Sequence, residues 1–136
     1  MKNIGIIGAG SWGTALAVNL TRNGHQVTIW SIMEDEIKML KEHHEHLDKL
    51  PGVKLDESMQ FTCNLEEAIL NKDMLVLAVP SIFTRSTAKS MAPFVTDEQT
   101  IVCVAKGIED GTLMTISEVV EDEIPNADVC VLCGPS

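Results

Sequence analysis

A glycine-rich turn near the N-terminus places the strongest constraint on the fold of this chain. Residues 8–13, Gly-Ala-Gly-Ser-Trp-Gly, match the pattern G-x-G-x-x-G, follow an apolar strand-like run and open a helix-like segment. In that context Gly8 permits a tight turn, and Gly10 removes a Cβ so that backbone N–H groups can approach a pyrophosphate. Gly13 lets the helix pack closely on the strand. The turn therefore predicts a βαβ unit that binds a dinucleotide, with an ordinary strand-to-helix turn as the alternative.

Strand-like and helix-like segments alternate along the whole chain. The expected strands are residues 3–8, 26–30, 60–62, 74–79, 100–104 and 129–133. The expected helices are residues 12–23, 34–44, 65–70, 82–91 and 112–123. This alternation predicts an α/β fold, a doubly wound parallel sheet with right-handed crossovers. Such sheets bind ligands in a crevice at the carboxyl ends of the strands, and we expect the first two strands to lie at or beside it.

The length and composition of the chain are those of a single acidic domain. The 136 residues include 10 Lys and Arg against 20 Asp and Glu, a formal net charge of −10. This balance opposes binding to the phosphates of nucleic acids. The apolar runs fall far short of the ~20 residues that cross a bilayer, and the N-terminus lacks the order of a signal peptide. We therefore expect a cytoplasmic protein that binds neither nucleic acid nor membrane.

Neither the cysteines nor the histidines favour a metal or redox site. Cys130 and Cys133 fall three apart on an expected strand, so their side chains point to opposite faces. His43, His44 and His46 lack the i, i+4 spacing of helical metal ligands. We expect the four cysteines to be reduced core thiols, no metal, and a solvated polar stretch around these histidines.

Other side chains are assigned to the core or to solvent. The expected core includes the large apolar residues Met39, Met59, Phe61, Phe83, Met91 and Phe94. The expected solvated helix face comprises the acidic residues Glu118, Glu121, Asp122 and Glu123.

The end of the second expected strand bears on cofactor choice. A carboxylate at that position would bond the adenosine ribose of NAD, whereas an Arg or Lys would meet the 2′-phosphate of NADP. Ile32 and Met33 stand there instead, followed by Glu34 and Asp35. Because no basic residue occurs between Ser31 and Asp35, and two nearby acids would repel a phosphate, we expect NAD to be preferred to NADP.

Three further segments follow expected strands on the crevice side. Pro80 ends the fourth strand, where it can terminate the strand, line the cofactor site, or do both. Lys106 follows the fifth strand, and its ammonium can bind a phosphate or polarise a carbonyl oxygen, an exposed lysine being the alternative. Gly134 and Ser136 flank a proline after the sixth strand, in a turn that aims donors inward or in a disordered terminus.

Taken together, these segments resemble bacterial NAD(P)-dependent sn-glycerol-3-phosphate dehydrogenase. The resemblance covers essentially the whole chain and rests on residues 8–17 (GAGSWGTALA), 50–55 (LPGVKL), 78–81 (AVPS), 106–109 (KGIE) and 134–136 (GPS). It implies reversible hydride transfer between a nicotinamide cofactor and C2 of dihydroxyacetone phosphate or sn-glycerol 3-phosphate, feeding phospholipid synthesis.

The resemblance also implies roles for individual residues. Ser11 and Trp12 would contact the cofactor phosphates and ribose, Lys106 both cofactor and substrate, and Gly134 with Ser136 the substrate. The chain departs from the family at residues 32–33, where relatives often carry a basic or histidine pair.

In this family a helical C-terminal domain supplies the general acid/base lysine, its aspartate partner and the group that binds substrate phosphate. We therefore expect residues 1–136 to be the NAD-binding domain of a longer enzyme, homodimeric at full length, and inactive without the substrate domain.

Two other functions compete with this interpretation. Another two-domain reductase, acting on a keto acid or an imine, is disfavoured by the segments at Lys106 and at Gly134 to Ser136. A stand-alone dinucleotide-sensing domain would favour a ribose-binding acid after the second strand and would not need the lysine after the fifth.

Overall fold

Six short parallel strands form the sheet in this computed structural model, which describes residues 1–104 and 107–132. The strands are β1 (Asn3–Ile7), β2 (Gln26–Trp30), β3 (Gln60–Thr62), β4 (Met74–Leu77), β5 (Thr100–Cys103) and β6 (Asp128–Val131). Their order across the sheet is β3-β2-β1-β4-β5-β6. The order reverses between β1 and β4, which confirms the doubly wound α/β fold.

Five α-helices among the described residues connect these strands. They are α1 (Ser11–Arg22), α2 (Glu34–His43), α3 (Leu65–Ile69), α4 (Thr84–Met91), which a 3₁₀ turn at Ser81–Phe83 precedes, and α5 (Ile116–Glu123). None of the helices in the described part of the chain is long and apolar enough to cross a membrane.

The hydrophobic core divides between the two faces of the sheet because side chains alternate along each strand. On β1, Ile4 and Ile6 pack with residues of α1 and α2, whereas Ile7 faces α3, α4 and α5. Helix α3 crosses β1 so closely that a Cβ built on Gly5 would overlap the carbonyl oxygen of Ala68. Covering both faces leaves the carboxyl ends of the strands as the natural place for a ligand.

Helix α5 begins later than the sequence predicted. The expected start at residue 112 is wrong, because Gly111 and Leu113 adopt left-handed φ angles of 90° and 61° that a right-handed helix excludes. Thr115 and Glu118 form a capping box, so the helix starts at Ile116.

Arg85 on α4 is the centre of an ion-pair cluster that includes residues before α5 and on it. The Arg85 guanidinium contacts Glu109 at 2.7 Å and 2.9 Å and Asp122 at 2.7 Å, with Glu123 3.6 Å away. These contacts fasten the segment after β5 to α4 and α5. Glu118, Glu121 and Asp122 are exposed, as expected of a solvated helix face, whereas the Glu123 side chain is only 18% exposed and corrects that expectation.

Candidate functional site

The glycine turn after β1 has the backbone geometry that its pattern predicts. Gly8 has a φ of 122°, and a Cβ at this position would lie 2.7 Å from the carbonyl oxygen of Ala78. Its N–H donates to the carbonyl oxygen of Trp30 at 2.9 Å. A side chain is excluded here by the backbone of the neighbouring strand and by the left-handed φ, so glycine is required.

Gly13 is required by close packing between helix and strand. A Cβ at this position would lie 2.7 Å from the carbonyl oxygen of Gly8 and 3.1 Å from the Cβ of Ala78. The first turn of α1 therefore presses directly on the ends of β1 and β4.

Gly10 differs from both because nothing in the protein requires it to be glycine. Its φ of −74° and ψ of −179° suit any residue, and no atom lies within 4 Å of the place its Cβ would occupy. It is the N-cap of α1, which has no side-chain cap and no acidic residue in its first turn. The helix therefore presents partial positive charge and N–H donors at open space that a Cβ would partly fill.

That open space is part of a cleft of about 690 Å³ at the switch point of the sheet. Its lining includes the glycine turn with Ser11 and Trp12, the residues after β2, and Val79 to Ser81 after β4. Pro80 thus lies on the cleft, as the sequence suggested. β1 ends at the switch point and β2 lies beside it.

Apolar side chains make up much of the exposed cleft surface. Trp12 is 54% exposed, and Ile32 and Met33 after β2 are 78% and 58% exposed. Phe83 also lines the cleft and is 52% exposed, so its assignment to the core is wrong. Phe83 belongs to the 3₁₀ turn before α4 and to neither of the core clusters that contain Phe61 and Met91. Cys130, expected as a core thiol, is also exposed, because it lies on the edge strand β6.

Glu36 is a cleft residue that the sequence analysis missed. Its carboxylate accepts hydrogen bonds from Ser31 Oγ at 2.6 Å and from His46 Nε2 at 2.9 Å, and it lies 3.3 Å from Lys49 Nζ. Burial disfavours the ionised carboxyl, but the bonds from Ser31 and His46 and the Lys49 charge outweigh it and hold the pKa of Glu36 below its ordinary value. Its spacing on α2 could have indicated this position. Glu36 lies four residues before the buried Leu40, and residues four apart share one face of a helix.

His46 is buried rather than solvated, which corrects the expectation for this residue, whereas His43 is exposed as expected. Its side chain is 1% exposed, and its Nδ1 accepts the Lys49 N–H at 3.2 Å while Nε2 bonds Glu36. α2 ends at His43, and its C-cap His44 has a left-handed φ of 48° that redirects the chain before His46. The neutral ring with a proton on Nε2 satisfies both partners.

The segment that carries Lys49 also contacts the glycine turn. Ser11 Oγ donates to the carbonyl oxygen of Lys49 at 3.0 Å, and the Leu50 N–H bonds the His46 carbonyl at 3.0 Å. A continuous set of hydrogen bonds therefore joins the end of β2, the start of α2, residues 46–50 and the start of α1.

Lys106, Gly134 and Ser136 lie outside the described residues. The described residues on either side of residues 105–106 lie close to the cleft. Val104 lines it, and a Cβ on Gly107 would lie 3.4 Å from the Oγ of Ser81, another lining residue.

The strand order and the glycine turn at the switch point define this chain as a Rossmann-type dinucleotide-binding domain. The chain belongs, more narrowly, to the family of N-terminal domains of NAD-dependent glycerol-3-phosphate dehydrogenase, whose family model matches residues 3–136.

Sequence and structure comparisons agree on this family. A glycerol-3-phosphate dehydrogenase of the NAD(P)+ type from Agathobacter rectalis is 71% identical over all of this chain, and one from Bacillus subtilis is 43% identical. The crystal structure of glycerol-3-phosphate dehydrogenase from Coxiella burnetii superposes with a TM-score of 0.92 and 30% identity, covering 98% of this chain and 41% of that one. The chain spans 40% of the length of both curated relatives.

Proposed function

We propose that residues 1–136 are the cofactor-binding domain of an oxidoreductase that transfers a hydride between NAD(P)H and dihydroxyacetone phosphate or sn-glycerol 3-phosphate. The observation that carries the proposal is the open space at Gly10. The protein's own packing explains Gly8 and Gly13 but leaves Gly10 unexplained, and a pyrophosphate resting on the start of α1 explains it. The names of the relatives supply the substrate.

Different cleft residues hold different parts of the cofactor. Gly8 and Gly13 set the turn, Gly10 leaves room for the phosphates, and Ser11 and Trp12 contact phosphate and ribose from the first turn of α1. Pro80 borders the nicotinamide end of the cleft. The bound nicotinamide supplies or accepts the hydride, and the protein's task is to fix its orientation and exclude water. We propose NAD as the preferred cofactor.

Substrate contacts are proposed for Lys106, Gly134 and Ser136. Val104 and Leu132, which precede them, follow neighbouring parallel strands, and such strands end at the same edge of a sheet. The Lys106 ammonium would bind substrate and cofactor and stabilise negative charge that develops on the carbonyl oxygen.

The remaining catalytic groups are assigned to a helical C-terminal substrate domain. This chain alone should therefore bind cofactor without useful turnover, because general acid/base assistance is worth roughly 10²–10⁴ in rate. We propose that the complete enzyme is cytoplasmic and homodimeric. The sensor alternative has no support from the relatives, which are named as dehydrogenases.

Cofactor titration tests the proposal directly. Trp12 and Trp30 both line the cleft, so saturable energy transfer to the reduced nicotinamide of NADH or NADPH should report binding. A Gly10→Val variant should lose this signal because its side chain fills the open space. A Gly24→Asn variant should keep it, since Gly24 lies past the opposite end of the same helix with nothing within 4 Å, and asparagine tolerates its left-handed φ of 90°. Absence of binding by the unmodified chain would contradict the proposal, as would unchanged binding by Gly10→Val.

A further inference from the structure

We propose that the Glu36–Lys49 pair determines how well the site tolerates the 2′-phosphate of NADPH, with Lys49 as the phosphate-attracting cation and Glu36 as the group that restrains it. The inference rests on the proposed function and assigns a specificity role within that site.

Lys49 reaches the cleft from a distant part of the sequence. The sequence between Ser31 and Asp35 holds no cation, but the structure brings Lys49 to the end of the cleft that Ile32 and Met33 also line. The adenosine ribose of a dinucleotide binds at the end of the second strand of such a sheet. Residues 46–50 therefore supply a positive charge at the adenosine end.

The backbone of Lys49 is fixed while its side chain keeps freedom. Its carbonyl oxygen accepts from Ser11 Oγ at 3.0 Å, and its N–H donates to His46 Nδ1 at 3.2 Å. The side chain is 46% exposed, and Nζ lies 3.3 Å from Glu36 Oε2. An ammonium carries three donors, so Lys49 can meet a second anion without leaving Glu36.

Glu36 cannot make the same adjustment. Its side chain is 10% exposed, and Ser31 Oγ and His46 Nε2 already donate to its two oxygens. These contacts hold the nearly buried carboxylate in place, so we infer that it acts as a fixed negative charge beside Lys49 and not as the acceptor for the ribose hydroxyls.

The two charges have opposite effects on a phosphate and little effect on a neutral ribose hydroxyl. Glu36 and Lys49 are the charged side chains among the described residues that line the cleft. A dianionic 2′-phosphate is attracted by Lys49 and repelled by Glu36, so NADPH binds but gains only part of the attraction that Lys49 can supply. Removing the Glu36 charge should therefore raise NADPH affinity, and removing the Lys49 charge should lower it.

Dissociation constants for NADH and NADPH, measured on five forms of the chain, test the inference. Glu36→Gln should raise NADPH affinity relative to NADH roughly three- to tenfold, and Lys49→Gln should lower it by a similar factor. The double variant should return close to the ratio of the unmodified chain, because the two charges act on the phosphate with opposite sign. Lys54→Gln removes the same charge from an exposed lysine outside the cleft lining and should leave the ratio unchanged.

Ionic strength provides a second measurement. The gain in Glu36→Gln should shrink as salt is added, since Lys49 is half-exposed and its attraction is screened. If Glu36→Gln fails to fold, the surface variants Lys49→Gln and Lys54→Gln decide the question.

Equal changes for both cofactors in the Lys49 and Glu36 variants would show a purely structural role and overturn the inference. Failure of the unmodified chain to bind either cofactor would instead contradict the proposed function.

Discussion

Replacing Gly10 and Gly13 by alanine, one at a time, should affect two different quantities. One variant should lose cofactor affinity and the other should lose folding stability. A methyl group at Gly13 would lie 2.7 Å from the carbonyl oxygen of Gly8, 3.1 Å from Ala78 Cβ and 3.3 Å from Ile6 Cγ2. The Gly8 backbone is itself held by its bond to Trp30. Since that carbonyl cannot yield easily, α1 must shift outward.

The cost can be estimated from two opposing effects. Overpacking a close contact destabilises a protein by about 1–3 kcal/mol. Alanine gains up to about 1 kcal/mol over glycine inside a helix, and less in its first turn. Gly13→Ala should therefore lower the free energy of unfolding by about 1–2 kcal/mol, which corresponds to a drop of roughly 3–10 °C in Tm.

Gly10→Ala is the matched control within the same turn. Its methyl group meets no protein atom within 4 Å, and its backbone is extended, so the free energy of unfolding should change by less than about 1 kcal/mol. Its affinity for NADH should nevertheless fall at least about tenfold, because the methyl occupies the space proposed for the pyrophosphate.

Urea and thermal denaturation followed by circular dichroism, together with NADH titration, measure both quantities. Gly13→Ala should lose stability, whereas Gly10→Ala should lose affinity at nearly unchanged stability. If Gly10→Ala were destabilised as much as Gly13→Ala, the distinction between a packing glycine and a ligand glycine would be refuted.

Two further perturbations concern polar contacts. Hydrogen bonds from Arg85 hold the pKa of Glu109 at about 2, below its ordinary 4.5, so the pair's stabilisation is present above pH 4.5 and is lost as the pH falls toward 2. Arg85→Met should therefore lower the urea midpoint at pH 6 and flatten its decline between pH 4.5 and 2; an unchanged decline would contradict this assignment. His46→Ala should lower the free energy of unfolding by about 2–4 kcal/mol, because it opens a cavity and leaves Glu36 and the Lys49 N–H each short of a partner. Thermal denaturation checks this, and a loss below about 1 kcal/mol would show that water replaces the imidazole.

Segments whose structure depends on residues adjacent in the sequence were predicted well. The turn at residues 8–13, the strand before it and the helix after it all lie within 3–22, and steric limits on the backbone determine their geometry. The buried strands β4 and β5 were recognisable because strands covered on both faces are continuously apolar. Family membership followed from the same contiguous motifs, and the family model confirms it.

Tertiary contacts decided the features that the sequence analysis missed. The sequence placed no cation just after β2, but the fold brings Lys49 to the cleft that Ile32 and Met33 also line. It also buries His46, which looked solvated, because Glu36 and the Lys49 N–H replace the hydrogen bonds that its ring would make with water.

Contacts between distant segments also account for the late start of α5 and for the exposure of Phe83. Arg85 pairs with Glu109, 24 residues further along the chain, and Glu109 in turn accepts a hydrogen bond from Thr112, a residue that local periodicity assigned to a helix. Phe83 is apolar, but the chain direction after Pro80 turns it toward the cleft. Local sequence determines backbone conformation through sterics, whereas burial and charge pairing depend on which distant segments meet, and only the folded chain decides that.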